Sequence, residues 1–543
     1  MDTEQPFDRE LSLARLEREE FDLGVIGAGI NGAAIARDAA MRGLRVALVE
    51  RGDFAGGTSS RSSKLIHGGF RYLPQGQLRL VYSALREREL LRRRTAPHLV
   101  HPVRFLFPLY KGRGYGRFTM AAGLWLYDLF ARVPRAERHE TLSAARVREM
   151  EPALARHGLR GGATYFDAWG DDARLTLENA LDAALHGAAV ANCTAAEGFS
   201  KSSGRLRAAA LRDCLAGRTF ELRARAFVNA AGPWVDEVRR LDDPAVPPCV
   251  RLTKGVHLVL PRTSLPVSDW MALSDPAARI VFVMPHDRYV VVGTTDTDYH
   301  ADAGAVAADE ADLEYLLGVL GESLPGMKLT REDIASSFAG LRALVLDGQG
   351  SRVPSAVSRE EVILESASGL LTVAGGKLTT HREVAEKLVT RLIRALNHPS
   401  TGCATAVTPL PGARFGEASG ADSEALDALP RTIRQTLATR YGARAALPAR
   451  LAATDRALAA PVATGCPVVG AEVIRAVRNE MAVTLADFMV RRIGAVWRWP
   501  MEAEAAAPAV AGLMAAELRW DQQRCGRELA EFKEDLRQRR LSR

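Results

Sequence analysis

The sequence predicts a mixed chain, part α/β and part α+β, and three observations carry that prediction. Residues 21–50 run as apolar strand, glycine-rich turn, alanine-rich helix and second strand. Residues 190–229 read as strands, and residues 250–300 alternate as an antiparallel sheet does, in Val256-His257-Leu258-Val259-Leu260 and Ile280-Val281-Phe282-Val283. Beyond a Pro/Gly/Ser/Ala-rich stretch at 399–424 the pattern is helical to the end. A chain of 543 residues is too long for one core, so two or three units are expected.

The first segment carries Gly27, Gly29 and Gly32 in a G-x-G-x-x-G spacing, and its second strand ends in Glu50. Gly27 permits the tight turn, Gly29 lets the backbone approach a pyrophosphate, and Gly32 lets helix and strand pack closely. The helix N-terminus offers unpaired N–H groups and a positive dipole end to that pyrophosphate. Glu50 can accept hydrogen bonds from an adenosine ribose. This is a Rossmann-like dinucleotide-binding unit. A lone glycine-rich hairpin would need neither the alanine helix nor the terminal acid.

Composition narrows the rest. Hydrophobic content of 47% and charged content of 25% are ordinary for a globular protein. No apolar run reaches about 18 residues, so no transmembrane helix is expected. Residues 1–20 carry Asp2, Glu4, Asp8 and Glu10 without an apolar core, and read as a charged extension rather than a secretory signal. The six cysteines form no C-x-x-C pair, which argues against a zinc ribbon, a dithiol motif or a disulfide scaffold. A reducing cytoplasm and no metal site are expected. The net charge of +7, with a pI of about 9.2, is compatible with nucleic acid, an anionic membrane or an anionic substrate. Most of that charge is arginine, which makes Lys64, Lys254 and Lys377 noticeable inside their Gly- or Ser-rich motifs. Residues 118–131 are apolar and aromatic between arginines, and read as a buried helix or a membrane-dipping one.

The chain returns to the nucleotide site twice. Strand residues 226–229 enter Ala230-Ala231-Gly232-Pro233-Trp234, and strand residues 370–374 enter Gly375-Gly376-Lys377-Leu378-Thr379-Thr380 and a helix. A nicotinamide enzyme usually completes its nucleotide domain as one block. A flavin has a use for the second return, because charge developing at N1 and the C2 carbonyl is stabilised by a helix N-terminus. Gly376 lets the backbone approach the ring, Leu378 follows it, and Thr379 or Thr380 can cap the helix. The polar loop at 57–72 supplies Thr58, Ser59, Ser63, Lys64, His67 and Gly68 to the pyrophosphate and ribityl chain, and its Gly-Gly turn brings Arg71 and Tyr72 beside the flavin. FAD is therefore the expected cofactor.

At these residues the sequence resembles the FAD-dependent glycerol-3-phosphate dehydrogenases, within the D-amino-acid-oxidase-like flavoproteins. The resemblance runs through residues 27–32, 58–69, 71–73, 96–99 and 171–175, continues at 229–234, 254–257 and 293–298, and ends with Gly-Leu-Arg at 340–342 and residues 375–380. It extends to Arg-Tyr-Gly at 440–442 and the 480–492 region, and so covers about 21–530. It implies a discontinuous FAD-binding domain (21–95, 160–250 and 335–398), an antiparallel-sheet substrate or cap domain (96–159 and 251–334), a linker (399–424) and a C-terminal helical domain (425–543). It also implies oxidation of sn-glycerol 3-phosphate to dihydroxyacetone phosphate, with electrons passed to a membrane quinone. A homodimer on the cytoplasmic face of the cell membrane, attached peripherally, is the implied setting. The implied substrate cluster is Arg71, Tyr72, His257, Arg342, Arg359 and Lys377. The family pattern has Pro after its Gly-x-Arg arginine; here Ala343 follows Arg342, which loosens the expectation for Arg342, and residues 344–358 are less family-like.

The residue chemistry agrees. A phosphomonoester carries about two negative charges near neutral pH, and a planar guanidinium binds such oxygens bidentately. His257 is the candidate base, because an unperturbed imidazole titrates near working pH; His67 is its rival. Two other readings stand beside the quinone-linked dehydrogenase: an oxidase passing electrons to oxygen, and a basic flavoprotein binding nucleic acid. The last lacks any nucleic-acid motif, so no nucleic acid is expected.

Overall fold

The carboxyl ends of five parallel strands, the outermost being Ala189–Ala191 beside Val46–Val49, lie along one edge of the first sheet. The computed structural model describes residues 7–73, 76–113, 116–346, 361–399, 401–416 and 420–540. In it Glu20–Ile26 is the central strand. It pairs in parallel with Thr219–Asn229 on one side and Val46–Val49 on the other, and Leu370–Ala374 pairs in parallel with Thr219–Asn229. The strand Glu20–Ile26 is buried from its second residue onward, as expected of a parallel strand covered on both faces. The helices Ile30–Met41, Asp172–Leu185 and His381–Leu396 pack on this sheet, the first against both others. Parallel pairing thus brings the turns after Ile26, Asn229 and Ala374 together, although 348 residues separate the first from the last in sequence.

The second sheet has ten strands and is largely antiparallel. Val250–Pro261 pairs with Ser336–Val345 from Val250↔Val345 to Val259↔Ser336, and Leu159–Gly170 pairs with Val100–Tyr110. Residues 159–170 and 336–345 therefore lie in this sheet, although the segments expected to build the FAD-binding domain, 160–250 and 335–398, include nearly all of them. A strand's alternation shows which face it buries but not which sheet it joins. The short strand Leu65–Ile66, inside the polar loop, pairs here too, with Trp169 and Ala168. The loop is thus anchored to the second sheet while it faces the first.

Two segments are more ordered than expected. Within the N-terminal extension, Arg9–Arg18 is a helix capped by Asp8, with Leu13 and Leu16 fully buried. In the proposed linker, Leu410, Pro411 and Ala413 are buried, and the Gly412 amide donates to Glu178 Oε2 at 3.0 Å. A Cβ on Gly412 would lie 2.3 Å from His98 Nε2, so glycine is what lets this segment pack against the nucleotide unit.

The C-terminal helices share a core with the second sheet: Phe488, Trp497, Val510 and Phe532 belong to the same apolar cluster as Phe105 and Tyr165. Buried ion pairs, Arg174–Glu480 and Arg492–Asp53, tie them to the nucleotide unit. Among the described residues no helix is long and apolar enough to cross a membrane.

Candidate active site

Between the two sheets lies a cavity of about 1060 Å³, lined by all three glycine turns, the polar loop and the strands of the second sheet. Its nucleotide end is shaped by missing side chains. Gly27 has φ +99°, and a Cβ there would lie 2.8 Å from Ala230 O, so the first turn touches the second. A Cβ on Gly32 would lie 1.8 Å from Gly27 O, which fixes helix against turn. Gly32 does this packing without lining the cavity. Gly29 and Gly232 open onto the cavity; the nearest atom to a Gly29 Cβ would be Ser59 Oγ at 3.3 Å, and a Gly232 Cβ would meet nothing within 4 Å. Ala231 lines the wall beside Gly232.

Glu50 spans the next stretch. Its Oε2 accepts from the Ala28 amide at 2.8 Å and its Oε1 from the Gly52 amide at 3.0 Å. Burial pushes its carboxyl above the usual range, against those two donors. Ser59 Oγ accepts from the Ile30 amide at 2.9 Å, so it caps the helix that follows the first turn. Thr58 donates to Leu341 O at 2.6 Å, joining the polar loop to the second sheet. Asn31 Oδ1 is buried on the wall with no protein partner, an acceptor that a hydroxyl- or N–H-bearing ligand would satisfy. This orphaned atom and the glycine-opened walls fit FAD.

At the third turn Gly375 and Gly376 have φ +75° and +95°, a conformation that favours glycine. The 3-10 turn Leu378–Thr380 then enters the helix His381–Leu396. Neither Thr379 nor Thr380 caps it with a side chain. Thr379 Oγ1 instead accepts from the His67 amide at 3.1 Å and donates to His67 O at 3.2 Å, locking the polar loop to this turn. His67, Gly376, Leu378 and Thr379 all line the cavity.

Besides Gly32, two expected cofactor residues do not reach it. Lys64 is 4% exposed, donates to Ser60 O at 3.1 Å and pairs with Asp172. The Gly68 amide donates to the Tyr127 hydroxyl at 2.8 Å, behind the wall. Both carry signals of a ligand-binding loop in sequence, yet they build the loop's support.

The cationic end gathers His257, Arg342, Lys377 and Tyr72. Arg342 pairs with Thr253 across the second sheet, and the register runs on regularly through Leu252↔Ala343, so the missing proline leaves Arg342 facing the cavity. Its guanidinium donates to Thr295 O at 3.3 Å, Asp296 Oδ1 at 3.2 Å and Thr294 Oγ1 at 3.2 Å. A Cβ on Gly255 would lie 2.6 Å from Nη2, so that glycine makes room for the guanidinium. Lys377 Nζ lies 4.0 Å from the centroid of the Tyr72 ring, a cation–π contact that orients both. The backbone of Arg71 lies in the turn Phe70–Tyr72; its side chain, and the whole of Arg359, fall outside the described residues.

His257 differs from expectation in its protonation. It is 2% exposed, stacked on Phe338 with centroids 4.7 Å apart, and its Nε2 shares a 2.7 Å hydrogen bond with Ser63 Oγ. Burial, then the Arg342 and Lys64 charges, hold its pKa down at about 3. It is neutral at working pH, and an imidazole so depressed is a weak base. The sequence reading also missed the parts that hold these groups: Gly255 and residues 294–296 around Arg342, Asn31, and Phe338 beneath His257. The Gly-Thr-Thr-Asp run at 293–296 was the available signal.

Residues 22–382 match the family described as FAD dependent oxidoreductase, and residues 403–525 match the C-terminal domain of alpha-glycerophosphate oxidase. The aerobic glycerol-3-phosphate dehydrogenase of Staphylococcus haemolyticus is 37% identical over 507 residues, covering 90% of this chain and 89% of that protein. The protein of the same name from Staphylococcus aureus strain USA300 is 35% identical over 505 residues, covering 90% of each. The glycerol-3-phosphate dehydrogenase from Bacillus halodurans, complexed with FAD, superposes with a TM-score of 0.79 at 30% identity, over 98% of this chain and 97% of that one. The L-alpha-glycerophosphate oxidase from Mycoplasma pneumoniae shares the fold, at a TM-score of 0.55 and 19% identity over 72% of this chain and 99% of that one. The chain belongs to the FAD dependent oxidoreductases and, within them, to the aerobic glycerol-3-phosphate dehydrogenases.

Proposed function

We infer that this chain oxidises sn-glycerol 3-phosphate to dihydroxyacetone phosphate and that its electrons pass to a membrane quinone. The observation that carries the reading is the pairing of a flavin cradle with a cationic end, where Arg342 and Lys377 face one cavity. FAD, when bound, would supply the two-electron oxidising capacity that turning the C2 alcohol into a ketone requires. Gly27, Gly29, Glu50, Ser59, Asn31, Ala231, Gly232, Gly376 and Thr379 would hold it. Arg342 and Lys377 bind the phosphate dianion, with Arg71 and Arg359 as further expected contacts. Tyr72 orients Lys377 through its ring. The proton of the C2 hydroxyl passes to the Ser63–His257 pair, with His67 the other imidazole on the wall. A bound dianion beside His257 opposes the depression caused by Arg342 and raises its basicity when substrate is present.

The enzyme attaches peripherally to the cytoplasmic face of the cell membrane as a homodimer. The helix Arg117–Ala131 supports the attachment. It leaves Phe118, Trp125 and Leu129 exposed, beside exposed Arg117, Arg132 and Arg135. An apolar face ringed by cations suits an anionic bilayer. The basic C-terminal tail is the poorer candidate, because Arg537, Arg539 and Arg540 pair with Glu534, Asp535 and Glu504.

A second reading keeps the substrate but gives the electrons to oxygen; the match of residues 403–525 to an oxidase's C-terminal domain favours it. Turnover of glycerol 3-phosphate with a short-chain quinone, scored for peroxide, tests both. Quinone-dependent turnover without stoichiometric peroxide is expected. Stoichiometric peroxide with no quinone dependence selects the oxidase, and equal turnover of glycerol refutes phosphate recognition.

A further inference from the structure

We propose that the helix Arg117–Ala131 is a lever joining an anionic lipid surface to the substrate loop, with Tyr127 as its positioning residue. The inference rests on the membrane attachment proposed above and goes beyond it. One side of the helix faces out: Phe118 is 90% exposed, Trp125 63% and Leu129 55%. Tyr82 of the neighbouring helix Leu78–Leu90 extends this face, with its ring 5.6 Å from that of Phe130. The nearby acids are already engaged, Asp128 with His139 and Glu137 with Arg92, so the exposed arginines set the sign of the rim.

The other side is pinned to the cavity wall. Tyr127 is 1% exposed; its hydroxyl donates to Asp167 Oδ1 at 2.8 Å and accepts from the Gly68 amide at 2.8 Å. Arg88 also donates to Asp167 Oδ1, at 2.8 Å, which fixes the carboxylate. A Cβ on Gly68 would lie 2.6 Å from the Tyr127 hydroxyl oxygen, so only glycine lets the loop backbone rest on it. A Cβ on Gly123 would lie 3.0 Å from the Phe70 ring, so the helix also bears on the next turn of the loop. The loop continues into Tyr72, whose ring holds Lys377. His67, Gly69, Phe70 and Tyr72 line the cavity. Seating the outer face in lipid constrains the tilt of the helix, and the Tyr127 contacts carry that constraint into residues 67–72. Packed contacts of this kind transmit a coupling that appears as a change in ligand affinity.

The test uses the FAD-loaded full chain, vesicles of phosphatidylglycerol and phosphatidylcholine, and a water-soluble dye as electron acceptor, so that quinone solubility plays no part. Vesicles are expected to lower KM for glycerol 3-phosphate by about fivefold or more, with a smaller change in kcat. Tyr127→Phe should still float with vesicles but lose the KM response. Trp125→Ser should lose both flotation and response. Hydrogen exchange of the 67–73 amides should slow on vesicle addition in the parent, a readout that does not depend on the variants folding. A parent that floats without a KM change, a Tyr127→Phe enzyme that responds like the parent, or unaltered exchange at 67–73 overturns the lever. A parent that does not float removes the membrane attachment as well, and the lever with it.

Discussion

Replacing Arg342 with alanine should lower kcat/KM for glycerol 3-phosphate by at least about 100-fold. The guanidinium is 23% exposed, lines the cavity, and is oriented by Thr294, Thr295 and Asp296 at 3.2–3.3 Å. Two charge-assisted hydrogen bonds to a phosphate contribute about 1.5–3 kcal/mol each. The loss of its contact with Asp296 offsets little, because that carboxylate is partly solvated. The sum is at least about 2.7 kcal/mol, or two decades at 1.36 kcal/mol per decade. Arg342→Lys keeps the charge and loses the planar fork, so it should fall between, near tenfold. A second effect has a fixed sign. Arg342 is one of the two cations holding the His257 pKa down. Its removal should move the acid limb of the kcat/KM profile to higher pH. The assay is steady-state turnover with a soluble acceptor from pH 5 to 9, with FAD content read from absorbance. A loss below tenfold with FAD retained would show that another cation reads the phosphate. A loss that tracks FAD content would show that Arg342 is structural.

Three further outcomes follow from particular contacts. Lys64→Met should destabilise the fold by roughly 3–5 kcal/mol, because Asp172 is fully buried and loses its cation; urea unfolding measures it, and a change below about 1 kcal/mol would contradict a supporting role. Glu50→Ala should weaken FAD binding by about tenfold, since it frees the Ala28 and Gly52 amides that shape the wall; titration of the apoprotein by flavin fluorescence would show it, and unchanged affinity would count against this site. His257 and His286 are held at about 3 and His381 at about 4, against 6.5 for a solvated imidazole. Between pH 6.5 and 4 the unfolded chain therefore binds more protons than the folded one. Stability should fall with pH across that window, by up to about 1.4 kcal/mol per pH unit for each histidine. Above about pH 7 these residues contribute no slope. The fall in urea midpoint from pH 7 to 5 should be shallower in His286→Phe than in the parent, and identical slopes would mean that His286 is not buried neutral.

The cradle was legible because its chemistry demands backbone freedom at fixed spacings. Gly27 and Gly32 stand where a Cβ would strike Ala230 O and Gly27 O, so their jobs follow from position alone. The three glycine turns converge because parallel strands carry them to one edge, which the strand–turn–helix rhythm implied. Residues whose role depends on the partner were not legible. Lys64 sits among serines and glycines as a ligand residue would, yet it answers Asp172, 108 positions away. His257 has a motif around it, but its protonation is set by burial and by Arg342, which sequence does not measure. The segment 118–131 offered a buried or a membrane-dipping helix; in the fold one face is buried and the other exposed, because Tyr127 and Leu124 point in while Trp125 points out. Gly412 lay in a stretch with linker composition, although His98 and Glu178 close around it.

Anaerobic mixing of the FAD-loaded protein with glycerol 3-phosphate, followed by flavin absorbance near the oxidised band, tests substrate oxidation at this cavity without any acceptor, lipid or partner. The flavin should bleach with glycerol 3-phosphate at a rate that saturates with concentration. Glycerol should bleach it at least about 100-fold less efficiently, since the phosphate contacts of Arg342 and Lys377 are then lost. A flavin that stays oxidised with glycerol 3-phosphate, or that bleaches equally well with glycerol, would contradict the reading of this cavity.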